Sequence, residues 1–414
     1  MNRQGSKTEA HAWIDAHQSH WTHQVIELAN ISSGSANIQG LSEVAEWLCT
    51  WSGLPGVCVE RIPLPPRRGI NDDGSEHALP SCVALKWQMR PQAERRVLLG
   101  IHYDTVYTAA HVPAKCKQIS VDRLLGPGVA DAKGGIVVVR AALEALERFS
   151  LASECGWTLL LTPDEEVGSP SSADLWTSLA ASHDFGLLFE PALPSGALVG
   201  QRKGSGSFTL VVRGRAAHAG RDFDRGRNAV ALASNLAMRL DALNGQRSGV
   251  TINVGQFIGG GAVNVVPDLA IVRLNVRIPD AESQHWFEAA LSDALAEADA
   301  QEGYSVAVSG GFHAPPKPLD HAQRELMNAI ENASERLGHH VHWQASGGVC
   351  DGNRLAAAGL PNIDTLGPVG DGLHSSEEWV DVKSIPLKAQ VVVELLSNFS
   401  QGKYPTLARS RATA

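Results

Sequence analysis

Three consecutive acids close an apolar run in the stretch Leu159-Leu160-Leu161-Thr162-Pro163-Asp164-Glu165-Glu166-Val167-Gly168-Ser169. The run has the texture of a buried strand, and the glycine after the acids marks a turn. Adjacent side chains on extended backbone point opposite ways, so Glu165 and Glu166 are expected to do different jobs. One could face a metal ion while the other faces a reacting group. A solvated acidic turn at a strand end explains this stretch, taken alone, equally well. The pattern recurs, however, and recurrence shifts the balance. Residues 95–102 form an apolar run that delivers His102-Tyr103-Asp104, and residues 185–189 form one that delivers Glu190.

Asp131, in a glycine-rich turn, and His374, in Gly372-Leu373-His374-Ser375, extend the set to two imidazoles and several carboxylates. Those donors suit Zn²⁺, and Co²⁺ or Mn²⁺ would be accepted by the same atoms. Five ligands exceed what one catalytic zinc needs, whereas two ions sharing a bridging carboxylate use them efficiently. Asp104, two residues from His102, can accept the other ring N–H and hold a metal-bound imidazole in place. Taken singly, each residue also fits an ordinary solvated strand end.

The elements that would carry these side chains alternate. Residues 9–30 read as a helix, with Trp13, Ile14, Trp21, Val25, Ile26 and Leu28 apolar, and a second helix covers 41–48 after a Ser32-Ser33-Gly34-Ser35 break. Residues 63–80, rich in Pro, Gly, Asn and Asp, read as a surface loop. Strands at 82–87, 95–102, 157–162 and 185–189, with a helix over 136–149, predict an α/β layer with a largely parallel sheet. Sites in such sheets form beyond the carboxyl ends of strands, where His102, Glu165, Glu166 and Glu190 stand. After Pro191 the texture changes. Alternating strands at 207–214, 251–257, 271–278 and 304–309, with helices at 227–243 and 281–300, predict a separate α+β unit with one open sheet face. The α/β pattern resumes after Pro315-Pro316, with a strand at 341–344 and a closing helix at 385–399. The chain is therefore expected to hold a catalytic domain, residues 1–202 and 314–414, with a lid and dimerisation domain, residues 203–313, inserted into it.

Size and composition agree. A chain of 414 residues exceeds one ordinary core, and two domains of ~100–200 residues are the expectation. An apolar fraction of 43% and a charged fraction of 19% describe a soluble globular protein. A net charge of −9 argues against nucleic acid as a partner, and the cluster Arg202-Lys203 is too small to reverse that. Six scattered cysteines without a CxxC pair fit a reduced, cytoplasmic setting. The amino terminus lacks the apolar block of a secretory signal, and no run approaches the ~18 apolar residues of a membrane span.

Seven segments in order resemble the signatures of one family, the di-zinc metallopeptidases and amidohydrolases that include glutamate carboxypeptidase, acetylornithine deacetylase, succinyl-diaminopimelate desuccinylase and aminoacylase. They are Gly100-Ile101-His102-Tyr103-Asp104-Thr105-Val106, the run from Gly126 through Asp131 to Gly135, and Asp164-Glu165-Glu166-Val167-Gly168-Ser169. Phe189-Glu190-Pro191, Ala217-His218-Ala219-Gly220, Asn264-Val265-Val266-Pro267 and Leu373-His374 complete the series. The glutamate carboxypeptidase branch is the nearest, through His102 to Tyr107 and the Gly-Pro-Gly lead into Asp131.

The resemblance implies a zinc-peptidase α/β fold with an inserted lid domain of four strands and two helices. It implies two Zn²⁺ bridged by Asp131, one held by His102 and Glu190 and the other by Glu166 and His374. A cis peptide after Asp131 and a homodimer are implied too. A metal-bridged hydroxide would attack an amide carbonyl, with Glu165 as general base, Asp104 supporting His102, and His218 assisting the oxyanion from the lid of its own or a partner subunit. Asn264 and Arg277 occupy the family's carboxylate-gripping positions. Cys350 stands on a substrate-side loop where glutamate carboxypeptidase has Thr, and it reads as wall, since no base is placed to activate it. Residues 192–197 lack the Lys, and residues 309–313 the Arg, that the glutamate-specific enzyme uses. An apolar or aromatic acyl-amino acid therefore fits as well as a folate-like one. The expected activity is hydrolysis of the amide bond in a small N-acyl amino acid or C-terminal amino-acid conjugate. The competing readings are a catalytically silent metal-binding protein on the same scaffold, which would not need an unligated Glu165, and a tripeptide aminopeptidase, which would need an acidic pocket for a free amine.

Overall fold

Three helices open the chain, α1 (Arg3–Ala16), α2 (Gln18–Ala29) and α3 (Ile38–Cys49), in a computed structural model that describes residues 3–51, 54, 56–108 and 115–409. The single helix expected over residues 9–30 is two helices. The chain leaves the helical well at His17, with φ −101° and ψ 13°, and the His17 Nδ1 lies 2.7 Å from the Trp13 carbonyl oxygen. Trp21, Val25 and Leu28 still form one buried stripe at helical spacing.

The large sheet begins with β1 (Cys58–Pro63). An excursion follows, built from β2 (Arg67–Ile70) and β3 (Glu76–Leu79), before β4 (Val83–Met89) returns antiparallel to β1. Residues 63–80 are thus not a loop but a second hairpin, extending the first. Its turn explains the difference: Gly74 takes φ +75°, and the Gly74 N–H donates to the Asn71 carbonyl at 3.0 Å. Asp-Gly at a positive-φ turn is a strong hairpin signal, which the surrounding prolines obscure.

Next come β5 (Arg95–His102), α4 (Lys133–Arg148), β6 (Cys155–Thr162), α5 (Ala173–Ala180) and β7 (Phe185–Leu188). Every residue of β6 is buried, as expected of a strand covered on both faces. Leu159, Leu160 and Leu161 are fully buried, each contributing about 1.5–3 kcal/mol of transfer free energy.

The chain then leaves for a unit with its own core. Strands β8 (Gly204–Arg213), β9 (Thr251–Gly259), β10 (Leu269–Ile278) and β11 (Ser305–Ala314) pair antiparallel in the order β9-β10-β8-β11. Helices α6 (Ala229–Asp241) and α7 (Ala281–Asp299) cover one face, where Leu210, Leu236, Val272 and Phe287 join a hydrophobic cluster separate from that of the larger sheet. Helices α8 (His321–Glu335) and α9 (Asp351–Ala357), strand β12 (Asn362–Ile363) and α10 (Ser384–Ser400) complete the fold. The large sheet has the order β1-β4-β6-β5-β7-β12, and its last four strands run parallel. Among the described residues no helix is long and apolar enough to cross a membrane. All six cysteines are unpaired.

Candidate active site

Register gathers the site. His102, the last residue of β5, lies opposite Thr162 at the end of β6, and Leu188 at the end of β7 lies opposite Gly100. The chain segments leaving these three strands therefore emerge side by side. Asp131 arrives from a different direction, in the turn before α4. Two glycines let that turn close up: a Cβ on Gly135 would lie 1.9 Å from the carbonyl oxygen of Phe189, just past β7, and one on Gly134 would lie 2.5 Å from that of Val129 within the turn. The Asp131–Ala132 peptide is cis.

The result is two triads sharing one carboxylate. His102 Nε2 lies 3.1 Å from Asp131 Oδ1 and 3.4 Å from Glu190 Oε2. His374 Nε2 lies 3.2 Å from Asp131 Oδ2 and 3.4 Å from Glu166 Oε2. Within each triad the donor atoms lie within 4.8 Å of one another. The arrangement fits divalent cations. Each Asp131 oxygen faces a different imidazole, the buried Glu166 Oε1 has no hydrogen-bond partner, and the donors are the imidazole and carboxylate set that zinc takes. His374 has φ +62°, a left-handed conformation that L side chains adopt sparingly and mostly where surroundings enforce it.

Asp104 does more than support a ring. His102 Nδ1 lies 3.1 Å from the Asp104 carbonyl oxygen and 3.3 Å from its carboxylate Oδ1. The same carboxylate accepts the backbone N–H groups of Glu165 and Glu166, at 3.1 and 3.2 Å, and the Ser35 hydroxyl at 2.7 Å. It thus ties His102 to the turn that carries Glu165 and Glu166. That turn is a 3-10 turn over Glu165–Val167, not extended backbone, so the two glutamates diverge by roughly a third of a turn rather than by strand alternation.

Charges in the cluster lean on one another. Burial pushes the Glu165 and Glu166 carboxyls well up, with Glu190 adding most to the first and Asp131 to the second. Burial also raises Glu190, against the pull of His102. Burial alone would depress the His102 imidazole, but Glu190, Asp104 and Asp131 together raise it well above its ordinary value.

Beside the triads opens a cavity of about 990 Å³ between the two units. Glu165, Glu166, His374 and Cys350 line it from the larger unit, and Arg277 and His313 from the smaller one. Glu165 joins neither triad. Arg277 Nε donates to Asn275 Oδ1 at 2.9 Å while its Nη1 is buried without a partner. Cys350 is buried at the start of α9, and burial holds its thiol well above the usual range. His218 and Asn264 are not brought here. They lie exposed on neighbouring segments of the inserted unit, where the Ala219 N–H donates to the Asn264 carbonyl at 2.9 Å, and neither lines the cavity.

Three features carry little mark in the local sequence. Glu378 accepts the N–H groups of Gly128, Ala130 and Asp131, at 2.9, 2.9 and 3.0 Å, and the Tyr107 hydroxyl. It therefore shapes the turn that presents Asp131. Its one sequence signal is an acid four residues after His374. At the start of α9, Asp351 accepts the Ser169 hydroxyl, and the Arg354 Nη2 donates to the Gly168 carbonyl, clamping the far end of the glutamate turn. Arg202, half of a small basic cluster in the sequence, is buried in a bidentate pair with Asp364, both contacts at 2.8 Å, and Lys317 adds a third contact at 2.8 Å.

Comparison with known proteins accords with this geometry. A model described as peptidase family M20/M25/M40 matches residues 98–398. Carboxypeptidase G2 of Pseudomonas sp. (strain RS-16) is 28% identical over 324 residues, covering 76% of this chain and 77% of that protein. A succinyl-diaminopimelate desuccinylase of Gluconobacter oxydans is 25% identical over 295 residues, 68% of this chain and 75% of its own. Among solved structures, an M20 family metallo-carboxypeptidase of Sulfolobus solfataricus superposes with a TM-score of 0.72 at 16% identity, covering 92% of this chain and 99% of that one. A tripeptidase of Staphylococcus aureus gives a TM-score of 0.72 at 20% identity, with 93% and 99% coverage.

Proposed function

The chain belongs to peptidase family M20/M25/M40, and on that premise we propose that it hydrolyses the amide bond of a small N-acyl amino acid or C-terminal amino-acid conjugate. His102, Asp131 and Glu190 would hold one divalent cation and Asp131, Glu166 and His374 a second, with Zn²⁺ the ion that suits the donors best and Co²⁺ or Mn²⁺ able to replace it. Bound there, the cations supply Lewis acidity, easing deprotonation of water and polarising a carbonyl.

The single observation that carries the reading is Glu165. It is a carboxylate on the cavity wall, outside both triads, and its basicity is raised by burial and by Glu190. Such a group can take a proton from the attacking water and return it to the departing amine nitrogen. Arg277 would orient the substrate by its carboxylate, since its free Nη1 offers a charged donor to the cavity. Cys350 would serve as wall. Beyond the triads and the general base Glu165, the acid of the cavity is Asp351, already engaged by Ser169 and Arg354, so a free substrate amine finds little to bind and an anionic substrate is favoured. Two relatives, a carboxypeptidase and a desuccinylase, support the same reading.

His218 would assist the oxyanion only after closure of the inserted domain or from a second copy in a homodimer, because it lies exposed away from the cavity. Six unpaired cysteines support a cytoplasmic setting. A hydrolysis screen of the zinc-loaded protein against acyl-glutamate, acyl-aspartate and acyl-aromatic conjugates tests the proposal. Turnover of at least one, lost on Glu165→Gln, is expected. A metal-loaded protein inert to all three would favour a binding role instead.

A further inference from the structure

The hairpin arm of β2 and β3 is built into the cavity but takes no part in the chemistry above. It continues from the β1–β4 hairpin, whose last pair is Pro63 with Val83, and crosses to the inserted domain. Its far end is anchored there. Arg273 of β10 donates to the Ile70 carbonyl at 2.7 Å and pairs with Asp72 at 2.8 Å, while Arg213 of β8 reaches the Gly74 carbonyl at 3.3 Å. Gly74 sits so near Val211 and Leu269 that an added Cβ would stand 3.3 and 3.4 Å from their side chains. At the base, the Ser81 and Ser171 hydroxyls lie 2.8 Å apart. Held at both ends, the arm contributes Arg68, Gly69 and Ile70 to the wall of the cavity that Glu165 lines.

Strand alternation puts Arg68 on the same face of β2 as Ile70. Its cross-strand neighbour is Ala78, not an acid. The cavity has three other guanidinium groups, and two are committed. Arg273 is bound by the arm itself, and Arg354 by Gly168 and Asp351. Arg277 keeps its free Nη1. The Arg68 side chain makes no hydrogen bond or ion pair with the described residues. The cavity therefore offers two open guanidinium groups on different walls, one from the inserted domain and one from the arm.

We infer that Arg68 is a specificity-determining residue that binds a second anionic group of the substrate, so that the preferred substrates are dianionic N-acyl amino acids or peptides. One carboxylate would meet Arg277 and the other Arg68. The inference rests on the amidohydrolase reading of this site. A guanidinium binds a carboxylate through two parallel charge-assisted hydrogen bonds. At an exposed position such as Arg68, these are expected to favour the dianion by about 10-fold.

The second carboxylate could lie on the amino acid or on the acyl group, and two substrate pairs separate the cases. The zinc-loaded protein is assayed with N-acetyl-glutamate against N-acetyl-glutamine, and with N-succinyl-leucine against N-succinamoyl-leucine. One pair should show kcat/KM about 10-fold higher for the dianion, mainly through KM. Arg68→Ala should bring that ratio near one, Arg68→Lys should retain part of it, and Arg68→Glu should invert it, all with wild-type melting behaviour. Turnover without charge preference, or a preference that survives Arg68→Ala, overturns the inference and leaves the amidohydrolase reading standing. No turnover of any of the four compounds overturns the inference, and the acyl-aspartate and acyl-aromatic arms of the screen above then decide the amidohydrolase reading.

Discussion

Two buried clusters of charge lie near the carboxyl ends of one sheet, and they are built on opposite terms. Around Asp364 two cations meet one carboxylate, with Arg202 bidentate and Lys317 at 2.8 Å. Burial alone would raise the Asp364 carboxyl, but Arg202 and then Lys317 outweigh it and hold it well below the usual range. That cluster closes on itself. Around Asp131, the three carboxylates of the two triads together with Asp104 and Glu165 meet only two imidazoles. Among the described residues no Lys or Arg pairs with any of them. One cluster has its counter-charge built in, and the other lacks it. The difference teaches where external cations belong, because carboxylates packed together out of water need compensating charge or must stay protonated.

The contrast can be broken in several ways. Glu165→Gln should lower kcat by about 10²–10⁴-fold while metal content stays at the wild-type level, the loss expected of a general base rather than a ligand. Parallel kinetics and metal analysis check it, and wild-type turnover would remove Glu165 from the role. Asp364→Ala should destabilise the fold by about 3–5 kcal/mol, since two buried cations lose their partner. Urea unfolding should give the same decrement with or without chelator, because this cluster needs no metal.

Lys388 on α10 adds a third case, a buried charge with no ion pair or hydrogen bond among the described residues. Burial brings its ammonium down to about 8 from 10.5. The charge therefore costs stability in full below pH 8, and the cost fades as pH rises through 10.5, above which folded and unfolded chains are both neutral. Lys388→Met should stabilise the protein by roughly 3 kcal/mol at most near pH 7 and by much less above pH 10, in denaturation series across pH.

Removing metal should expose the deficit around Asp131. With zinc at ~100 times its dissociation constant, each site contributes about 2.7 kcal/mol, so a chelator should lower the melting temperature and zinc should restore it. A melting temperature indifferent to both would mean that the cluster is stable without cations. Smallest of these effects, Asp104→Ala should weaken zinc binding by about 10–100-fold, measured by competition with a chromophoric chelator.

Much of the site is legible in the amino-acid sequence, and the reason lies in where its residues stand. His102, Glu166 and Glu190 each follow an apolar strand, and Asp131 is flanked by glycines, so their types and places point to one edge of a sheet. The parallel layering is equally plain from strands such as Cys155–Thr162, apolar from Leu159 to Leu161 and buried along its length. What the sequence hides depends on contacts between distant residues. Glu378 shapes the Asp131 turn across some 250 positions of chain, and no local spacing announces that. Arg202 looks like a surface cation because its partner, Asp364, is 162 residues away. The arm reads as a loop because its prolines outweigh one Asp-Gly pair. Its strands are exposed or half-buried rather than alternating cleanly, and they gain their place only by docking on another unit.

The central claim is that Asp131 stands between two cations. Zinc per chain, measured by atomic emission on protein dialysed after zinc loading, tests it most directly. Two zinc ions are expected for the wild type and close to none for Asp131→Ala. A wild type that binds fewer than two, or an Asp131→Ala protein that keeps both, would contradict it.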